Sequence, residues 1–289
     1  MSRRIGIVTG GGPGLMQAAN EGAAQAAPDA TGRSVGIRVE LPFEQDVNPF
    51  VGSAFEHRTF FSRLHHFVLV SASILGLWDV VNNLTRLRPT RREQFRVTIF
   101  GSARVDQDHW VYGAVRDMSA ELTRMGCAII TGGGPGLMQA ANEGASVAAP
   151  DAKGRSVGIR IELPFEQDVN PFVGSAYEHR TFFSRLHHFV LVSDAFVVVP
   201  GGVGTVLELM MVWQLLQVRK LANTPLVLVG PMWQGLVDWH RQAMLRPGFE
   251  LASEPDMAIP QVVPGAAEAI AILRESHAAW VRAGEVPPG

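Results

Sequence analysis

The stretch Ala195–Glu208, AFVVVPGGVGTVLE, decides the fold of this chain, because it joins a buried strand, a glycine-rich turn and a helix. Its first residues are apolar and mostly β-branched, which is typical of a strand covered on both faces. Gly201–Thr205 predicts a tight turn, and the apolar run from Val206 predicts a helix with Glu208 at its third position. Because N–H groups at such a helix start attract a phosphate, the stretch predicts an anion site beside a carboxylate.

A second glycine-rich turn lies upstream, in the stretch Thr131–Ala145, TGGGPGLMQAANEGA. It also predicts a strand, a turn and a helix, with Pro135 in the first helical turn. It is neither the dinucleotide fingerprint nor a Walker loop, because the helix begins too early and no Lys-Ser/Thr pair follows. Such turns occur in many α/β folds for steric reasons, so this turn alone indicates the fold and not the ligand.

The chain contains a long internal repeat, in which residues 5–71 match residues 127–193 with about eight differences. The copies part after Ser71, before the region that corresponds to Glu208. The first copy therefore keeps Gly10–Gly14 and Arg63 but has no equivalent glutamate, and we assign no catalysis to it. A solenoid requires three or more units at a short period, so the repeat indicates a partial duplication.

Buried-type strands alternate with helices in the second half of the chain, which predicts an α/β fold with a Rossmann-like, doubly wound parallel sheet and flanking helices. Both glycine turns follow strands, at the edge where such sheets bind ligands. Pro164–Ala176 reads as a loop, and Val262–His277 is expected to end as a helix. The expected strands are Arg96–Phe100, Cys127–Thr131, Ser156–Glu162, Ala195–Val199 and Pro225–Val229.

Three segments are expected along the chain. Residues 1–76 form a partial duplicate of the segment 127–193, residues 77–95 form a helix and a basic linker, and residues 96–289 form a complete Rossmann-like domain.

Composition excludes several classes of function. The 289 residues are 47% hydrophobic with a net charge of −2, which supports a sizeable core and argues against a nucleic-acid partner. The two lysines, Lys153 and Lys220, fall in a turn and at a helix end, so a Schiff-base enzyme is not expected. The single cysteine, Cys127, is read as a core residue. No cofactor is predicted.

No metal site or membrane span is predicted either. His187 and His188 are adjacent, so on a helix they point about 100° apart and do not form a metal pair. The longest apolar stretch, Phe67–Val81, is too polar and too short to cross a bilayer. We therefore expect a cytoplasmic protein.

Two side chains are candidates for chemistry beside the single-copy turn. Glu208 is either a first-turn glutamate that stabilises the helix dipole or a functional carboxylate next to a phosphate. Arg185 lies in an aromatic-rich helix one strand earlier, so it either reaches the same crevice or lies over the aromatic rings at the surface.

These stretches together resemble the Lonely Guy (LOG) family, across roughly residues 95–280. The resemblance rests on TGGGPGLMQAANEGA, on SVGIRIELPFEQ, on an arginine in a Phe-rich helix and on SDAFVVVPGGVGTVLEL, which contains the complete motif PGGxGTxxE. It implies a homodimer or higher oligomer that hydrolyses the N-glycosidic bond of nucleoside 5′-monophosphates to free base and ribose 5-phosphate. In some members this reaction activates cytokinins, so the expected substrate is AMP or an N6-modified analogue.

The resemblance also assigns roles to residues of this chain. Arg185 and Glu208 would be the catalytic pair, whereas Leu186 stands where the family usually has a lysine. The nucleotide and its phosphate would be contacted by Ser102, Gly133, Gly134, Met138, Gly202, Gly204 and Thr205. Two other hypotheses remain: a nucleotide-binding or sensing module without catalysis, and a first half that docks on the second or swaps between protomers.

Overall fold

The computed structural model describes residues 6–26, 34–39, 47–57, 62–63, 66, 93–161 and 169–285. The chain divides into two compact units, Met1–Arg88 and Pro89–Gly289. Most of the segment 77–95, predicted as helix and linker, lies outside the described residues, so the three-segment division remains a prediction.

The first unit contains a small parallel sheet. Strands β1 (Ile7–Thr9), β2 (Ser34–Val39) and β3 (Ser53–His57) are hydrogen-bonded in that order, and α1 (Leu15–Ala26) follows β1. Asn20 ties the unit together, since its side chain bonds Thr9 Oγ1 and donates to Ser34 Oγ.

The second unit is built on a seven-stranded, all-parallel sheet of order β12-β9-β8-β4-β5-β6-β7. Its strands are β4 (Arg96–Phe100), β5 (Ala128–Thr131), β6 (Ser156–Ile161), β7 (Ser175–His179), β8 (Ala195–Val198), β9 (Leu226–Val229) and β12 (Pro260–Val263). A separate antiparallel pair is formed by β10 (Leu245–Arg246) and β11 (Phe249–Glu250). The helices are α2 (Trp110–Arg124), α3 (Leu137–Ala148), α4 (Phe182–Val192), α5 (Val203–Gln217), α6 (Met232–Met244), α7 (Glu254–Met257) and α8 (Ala266–Glu285), with a 3₁₀ turn at Lys153–Arg155.

Helices cover both faces of this sheet, which is why β5, β8 and β9 are buried along their whole length. On one face, side chains of α2, α3 and α8 pack on alternate strand residues such as Ile99 and Val197. On the other face, Phe100 lies 5.1 Å from Phe189 of α4, edge to face, and 5.9 Å from Phe196. The predicted doubly wound α/β fold is confirmed.

The strand order reverses at β4, which pairs with β5 on one side and with β8 on the other. The connections that leave these strands diverge to opposite faces of the sheet, and this leaves a crevice at their carboxyl ends. Both glycine turns and the loop after β4 border that crevice.

Several element boundaries differ from the sequence prediction. Helix α5 begins at Val203, not at Val206, because glycine is tolerated in a first helical turn, where the N–H groups have no intrahelical partner. Glu208 is therefore the sixth helical residue and lies beyond the first turn. Helix α3 begins at Leu137, after Gly136 with φ 66°, so the expectation that Pro135 lies in the first helical turn was wrong.

Two strands were missed. β7 (Ser175–His179) was read partly as a loop, because its side chains are mostly exposed and carry no alternating apolar pattern. β12 (Pro260–Val263) overlaps the start of the segment Val262–His277, and the helix predicted at the end of that segment runs from Ala266 to Glu285. Both are edge strands that pair on one side only, so tertiary pairing and not local sequence fixes them.

Candidate active site

A cleft of about 810 Å³ opens at the carboxyl ends of the central strands. This volume suits a small organic ligand. Its lining comes from the loops after β4, β5 and β8, the end of β6 and the helices α3, α4 and α5. The lining residues are Gly101, Ser102, Ala103, Arg104, Gly132, Gly134, Pro135, Met138, Arg160, Ile161, Phe182, Arg185, Gly202, Val203, Gly204, Thr205 and Glu208.

Backbone hydrogen bonds lock three of these loops together. The Ser102 N–H donates to the carbonyl of Pro200 at 3.0 Å, and the Leu137 N–H donates to the carbonyl of Ser102 at 2.8 Å. Gly136 makes the approach possible, because a Cβ there would lie only 2.4 Å from that Ser102 oxygen. The floor of the cleft is therefore rigid and already formed.

The start of helix α5 borders one side of the cleft. Its N-cap residue is Gly202, which has no side chain. The N–H groups of the first turn therefore receive no hydrogen bond partner from an N-cap side chain. Gly201 packs against Thr205, whose Oγ1 would lie 2.2 Å from any Cβ at position 201. Unpaired N–H groups and the helix dipole at such a terminus favour a phosphate.

Arg185 and Glu208 form an ion pair in the wall of the cleft. Arg185 Nη1 donates to Glu208 Oε1 at 3.2 Å, and both side chains are only 12% exposed. Arg185 Nε donates to the carbonyl of Ile159 at 2.9 Å, and its guanidinium lies 5.1 Å from the centre of the Phe189 ring. Arg185 therefore reaches the crevice, and the aromatic ring beneath its guanidinium, Phe189, is buried and not at the surface.

A missing side chain makes room for this arrangement. A Cβ at Gly132 would lie 2.5 Å from Arg185 Nη2 and 2.7 Å from the sulfur of Met138. The turn after β5 must therefore carry glycine for Arg185 and Met138 to occupy the cleft together.

The carboxyl of Glu208 has an unusual proton affinity. Burial raises its pKa from 4.5 to about 7, although the charge and the hydrogen bond of Arg185 oppose that rise. Near neutral pH this group can therefore hold or release a proton, which suits a general base or a charge-stabilising carboxylate.

The cleft also carries an excess of positive charge. Arg104, Arg160 and Arg185 line it, against the single carboxylate of Glu208 among the described lining residues. Together with the start of α5, this charge favours an anionic ligand.

The structure brings together eight of the nine site residues named from the sequence, namely Arg185, Glu208, Ser102, Gly134, Met138, Gly202, Gly204 and Thr205. Gly133 is placed differently. It has φ 73° and turns toward β6, where a Cβ would lie 3.3 Å from the Cα of Gly158. Leu186 is 2% exposed and belongs to the core, so it does not line the cleft.

Three side chains that line the cleft, those of Arg104, Arg160 and Phe182, were not assigned to the site from the sequence. A signal existed for Arg160, which interrupts the otherwise apolar strand SVGIRI immediately before its end. In the described part of the chain, no cluster of three or more His, Cys, Asp or Glu side chains could hold a metal ion. No helix in that same part has the length and apolar character of a membrane span.

This fold and site define a class: an α/β domain of Rossmann type with a cleft lined by glycine-rich loops at the switch point of its sheet. The family model described as "Possible lysine decarboxylase" matches residues 138–273. This match contains the complete motif Pro200–Glu208, on which the resemblance to the Lonely Guy family rests.

Comparison with known proteins gives relatives of low identity. The chain is 28% identical over 141 residues to the pyrimidine/purine nucleotide 5′-monophosphate nucleosidase of Escherichia coli K12, and equally similar to that of strain O157:H7. The match covers 47% of this chain but only 31% of the relative's length.

Solved structures with a similar backbone include the molybdenum cofactor carrier protein of Chlamydomonas reinhardtii. It is 19% identical in sequence, with a TM-score of 0.48, and the match covers 64% of this chain and 99% of that chain. The molybdenum cofactor binding protein of Rippkaea orientalis gives 16% identity and TM-score 0.47, with coverages of 64% and 98%.

Proposed function

We propose that this protein hydrolyses the N-glycosidic bond of nucleoside 5′-monophosphates to free base and ribose 5-phosphate. One observation carries the proposal: a buried carboxylate with a raised pKa, Glu208, is held 3.2 Å from Arg185 in the same cleft as the uncapped start of α5. A phosphate site and a carboxylate that titrates near neutral pH are the two parts that this reaction requires. The name of the Escherichia coli relatives supports the same class of reaction.

The phosphate would be held by the first turn of α5, where Gly202, Gly204 and Thr205 lie. Backbone N–H groups bind its oxygens there, while the helix dipole and the arginines of the cleft balance its charge. Because phosphate binding is remote from the reacting bond, its energy can orient the ribose for attack.

Glu208 is one helical turn further along α5, so its carboxylate would face the ribose. Cleavage proceeds through an oxocarbenium-like state, whose positive charge a nearby carboxylate stabilises. The bond between the anomeric carbon and the base nitrogen breaks, and the oxygen of a water molecule bonds to that carbon. The water proton passes to Glu208, which later releases it to solvent, and the departing base takes up one proton from solvent on its nitrogen, so that one water molecule is consumed in total.

Arg185 has two roles that its geometry allows. Its hydrogen bond to Glu208 orients the carboxylate, and its guanidinium can donate a hydrogen bond to the substrate as the base departs. The resemblance to the family makes AMP and N6-modified cytokinin nucleotides the first substrates to test.

The test is incubation of the full chain with a panel of nucleoside 5′-monophosphates, with free base and ribose 5-phosphate as the readout. Glu208→Gln is expected to bind nucleotide but to lower turnover by at least about 10²-fold, the usual scale for a positioned acid–base group. Equal turnover in this variant would refute the role of Glu208. A nucleotide that binds tightly to the unaltered protein and stays intact for hours would instead support a nucleotide-binding or sensing module.

The internal repeat supplies a matched control for Arg185. In the first copy, Arg63 Nε donates to the carbonyl of Ile37 at 2.9 Å, as Arg185 Nε does to the carbonyl of Ile159. Arg185→Ala is expected to lower turnover strongly, whereas Arg63→Ala is expected to leave it unchanged. Equal losses in both variants would mean that the arginine acts through folding and not through the site.

A further inference from the structure

One arginine of the cleft stands far from the predicted phosphate site. Arg160 lies near the end of β6, whereas the start of α5 follows β8, and β4 and β5 lie between these two strands. Three strand spacings of about 4.8 Å separate β6 from β8 by about 14 Å. A nucleotide with its phosphate at α5 and its ribose at Glu208 would therefore extend its base toward Arg160.

Packing fixes the position of Arg160. Its aliphatic stem lies against the turn after β5, because a Cβ at Gly133 would be only 3.2 Å from Arg160 Cγ. Its side chain is 16% exposed, and Nη1 lies 3.9 Å from Oε1 of Glu178, its register partner on β7. The charge thus stands at a defined place in the wall of the cleft.

The surroundings of Arg160 suit a flat, aromatic ring. Phe182 lines the same cleft with 48% of its surface exposed, and Ile161 follows Arg160 in the sequence. Apolar and aromatic side chains bind the faces of a nucleobase and do not distinguish one base from another. Among the described residues that line the cleft, Arg185 is engaged with Glu208 and Ile159, so the choice among bases is assigned to the Arg160 guanidinium.

A guanidinium only donates hydrogen bonds. A 6-oxopurine, such as guanine or hypoxanthine, presents two adjacent acceptors, O6 and N7, which can accept hydrogen bonds from two N–H groups of one guanidinium. Adenine instead presents an amino donor beside N7. We infer that Arg160 selects the base and that the preferred substrates are nucleoside 5′-monophosphates of 6-oxopurines. The inference rests on the proposed function for the orientation of the nucleotide, and it ranks GMP and IMP above the adenine nucleotides named there.

The experiment compares kcat/KM for GMP and AMP in the unaltered protein and in Arg160→Gln. The unaltered protein is expected to favour GMP by on the order of 10- to 100-fold, the scale of one bidentate arginine–guanine contact. Arg160→Gln is expected to reverse the preference, because an amide can donate to N7 of adenine and accept from its amino group.

Arg38→Gln is the matched control, because Arg38 lies against Gly11 of the first copy just as Arg160 lies against Gly133. It is expected to leave the GMP/AMP ratio unchanged. An equal loss for both nucleotides in Arg160→Gln would overturn the inference, since it would place the phosphate and not the base at Arg160. An unchanged ratio in that variant would overturn it as well.

Calorimetric binding of intact GMP and AMP to Glu208→Gln separates this inference from the proposed function. A preference for GMP that Arg160→Gln abolishes in that background supports the inference even if the unaltered protein cleaves neither nucleotide, an outcome that would refute only the hydrolase. Turnover without a preference for GMP would overturn the inference and leave the hydrolase intact. If neither nucleotide binds, the inference is refuted, and the proposed function is decided by turnover of the nucleotide panel in the unaltered protein.

Discussion

Replacing Glu208 by glutamine is expected to stabilise the folded protein above neutral pH while it lowers the turnover of the proposed hydrolase. The carboxyl is 12% exposed, and burial raises its pKa to about 7 from 4.5. Glutamine has nearly the same shape and can still accept a hydrogen bond from Arg185, but it carries no charge to be desolvated.

The size of the effect follows from proton linkage. Between pH 4.5 and about 7, folded protein keeps on Glu208 a proton that the unfolded chain releases. The free energy of unfolding therefore falls as the pH rises through this window, and the loss is complete above it. At about 1.36 kcal/mol per pH unit, the difference between the two pKa values corresponds to about 3 kcal/mol. Glu208→Gln and the unaltered protein should be equally stable at pH 4.5, and the variant should be more stable by up to about 3 kcal/mol at pH 8.

Urea unfolding of both proteins at a series of pH values measures this difference directly, because other titrating groups cancel between them. Glu254→Gln is the control, since Glu254 pairs with Arg241 at the surface and is 66% exposed. Its effect should stay below about 1 kcal/mol, as expected for an exposed ion pair. Parallel curves for Glu208→Gln and the unaltered protein from pH 4.5 to 8 would refute the claim that burial raises this pKa.

Three further predictions follow from single residues. The kcat/KM of the proposed hydrolase should rise with pH and level off above about 7, as Glu208 loses its proton; a flat profile from pH 5 to 8 would contradict this. Gly136→Ala should lower the free energy of unfolding by about 1–3 kcal/mol more than Gly14→Ala, because both glycines have positive φ but only a Cβ at 136 meets the Ser102 carbonyl; equal losses in urea unfolding would contradict the contact. Cys127 is fully buried and burial raises its pKa to about 12, so iodoacetamide at pH 8 should label it only in denaturant; labelling of native protein in a mass spectrum would show that it is accessible.

Much of the site could be predicted from local sequence. A glycine turn between a buried strand and a helix forms the same kind of loop wherever it occurs, so the stretches Thr131–Ala145 and Ala195–Glu208 identified both loops of the cleft. The parallel sheet then places both turns at one edge, and this is why residues 70 positions apart line the same cavity. The resemblance named Arg185 and Glu208 as a pair, and in the structure Arg185 Nη1 lies 3.2 Å from Glu208 Oε1.

Other features depend on neighbours that are distant in sequence. The edge strand Ser175–His179 exists because it pairs with β6, and its own residues favour no element strongly. Arg160 enters the cleft because Gly133 leaves space for its stem. No local pattern predicts either contact.

By itself, the sequence determined the α/β fold, the repeat and the two glycine-rich loops of the cleft, because periodicity and glycine act over a few residues. Only the tertiary structure decided the proton affinity of Glu208, the place of Arg160 and the exact start of α5. These properties arise from burial, from the approach of separate strands and from charges brought within a few ångströms. A short stretch of sequence therefore does not determine them.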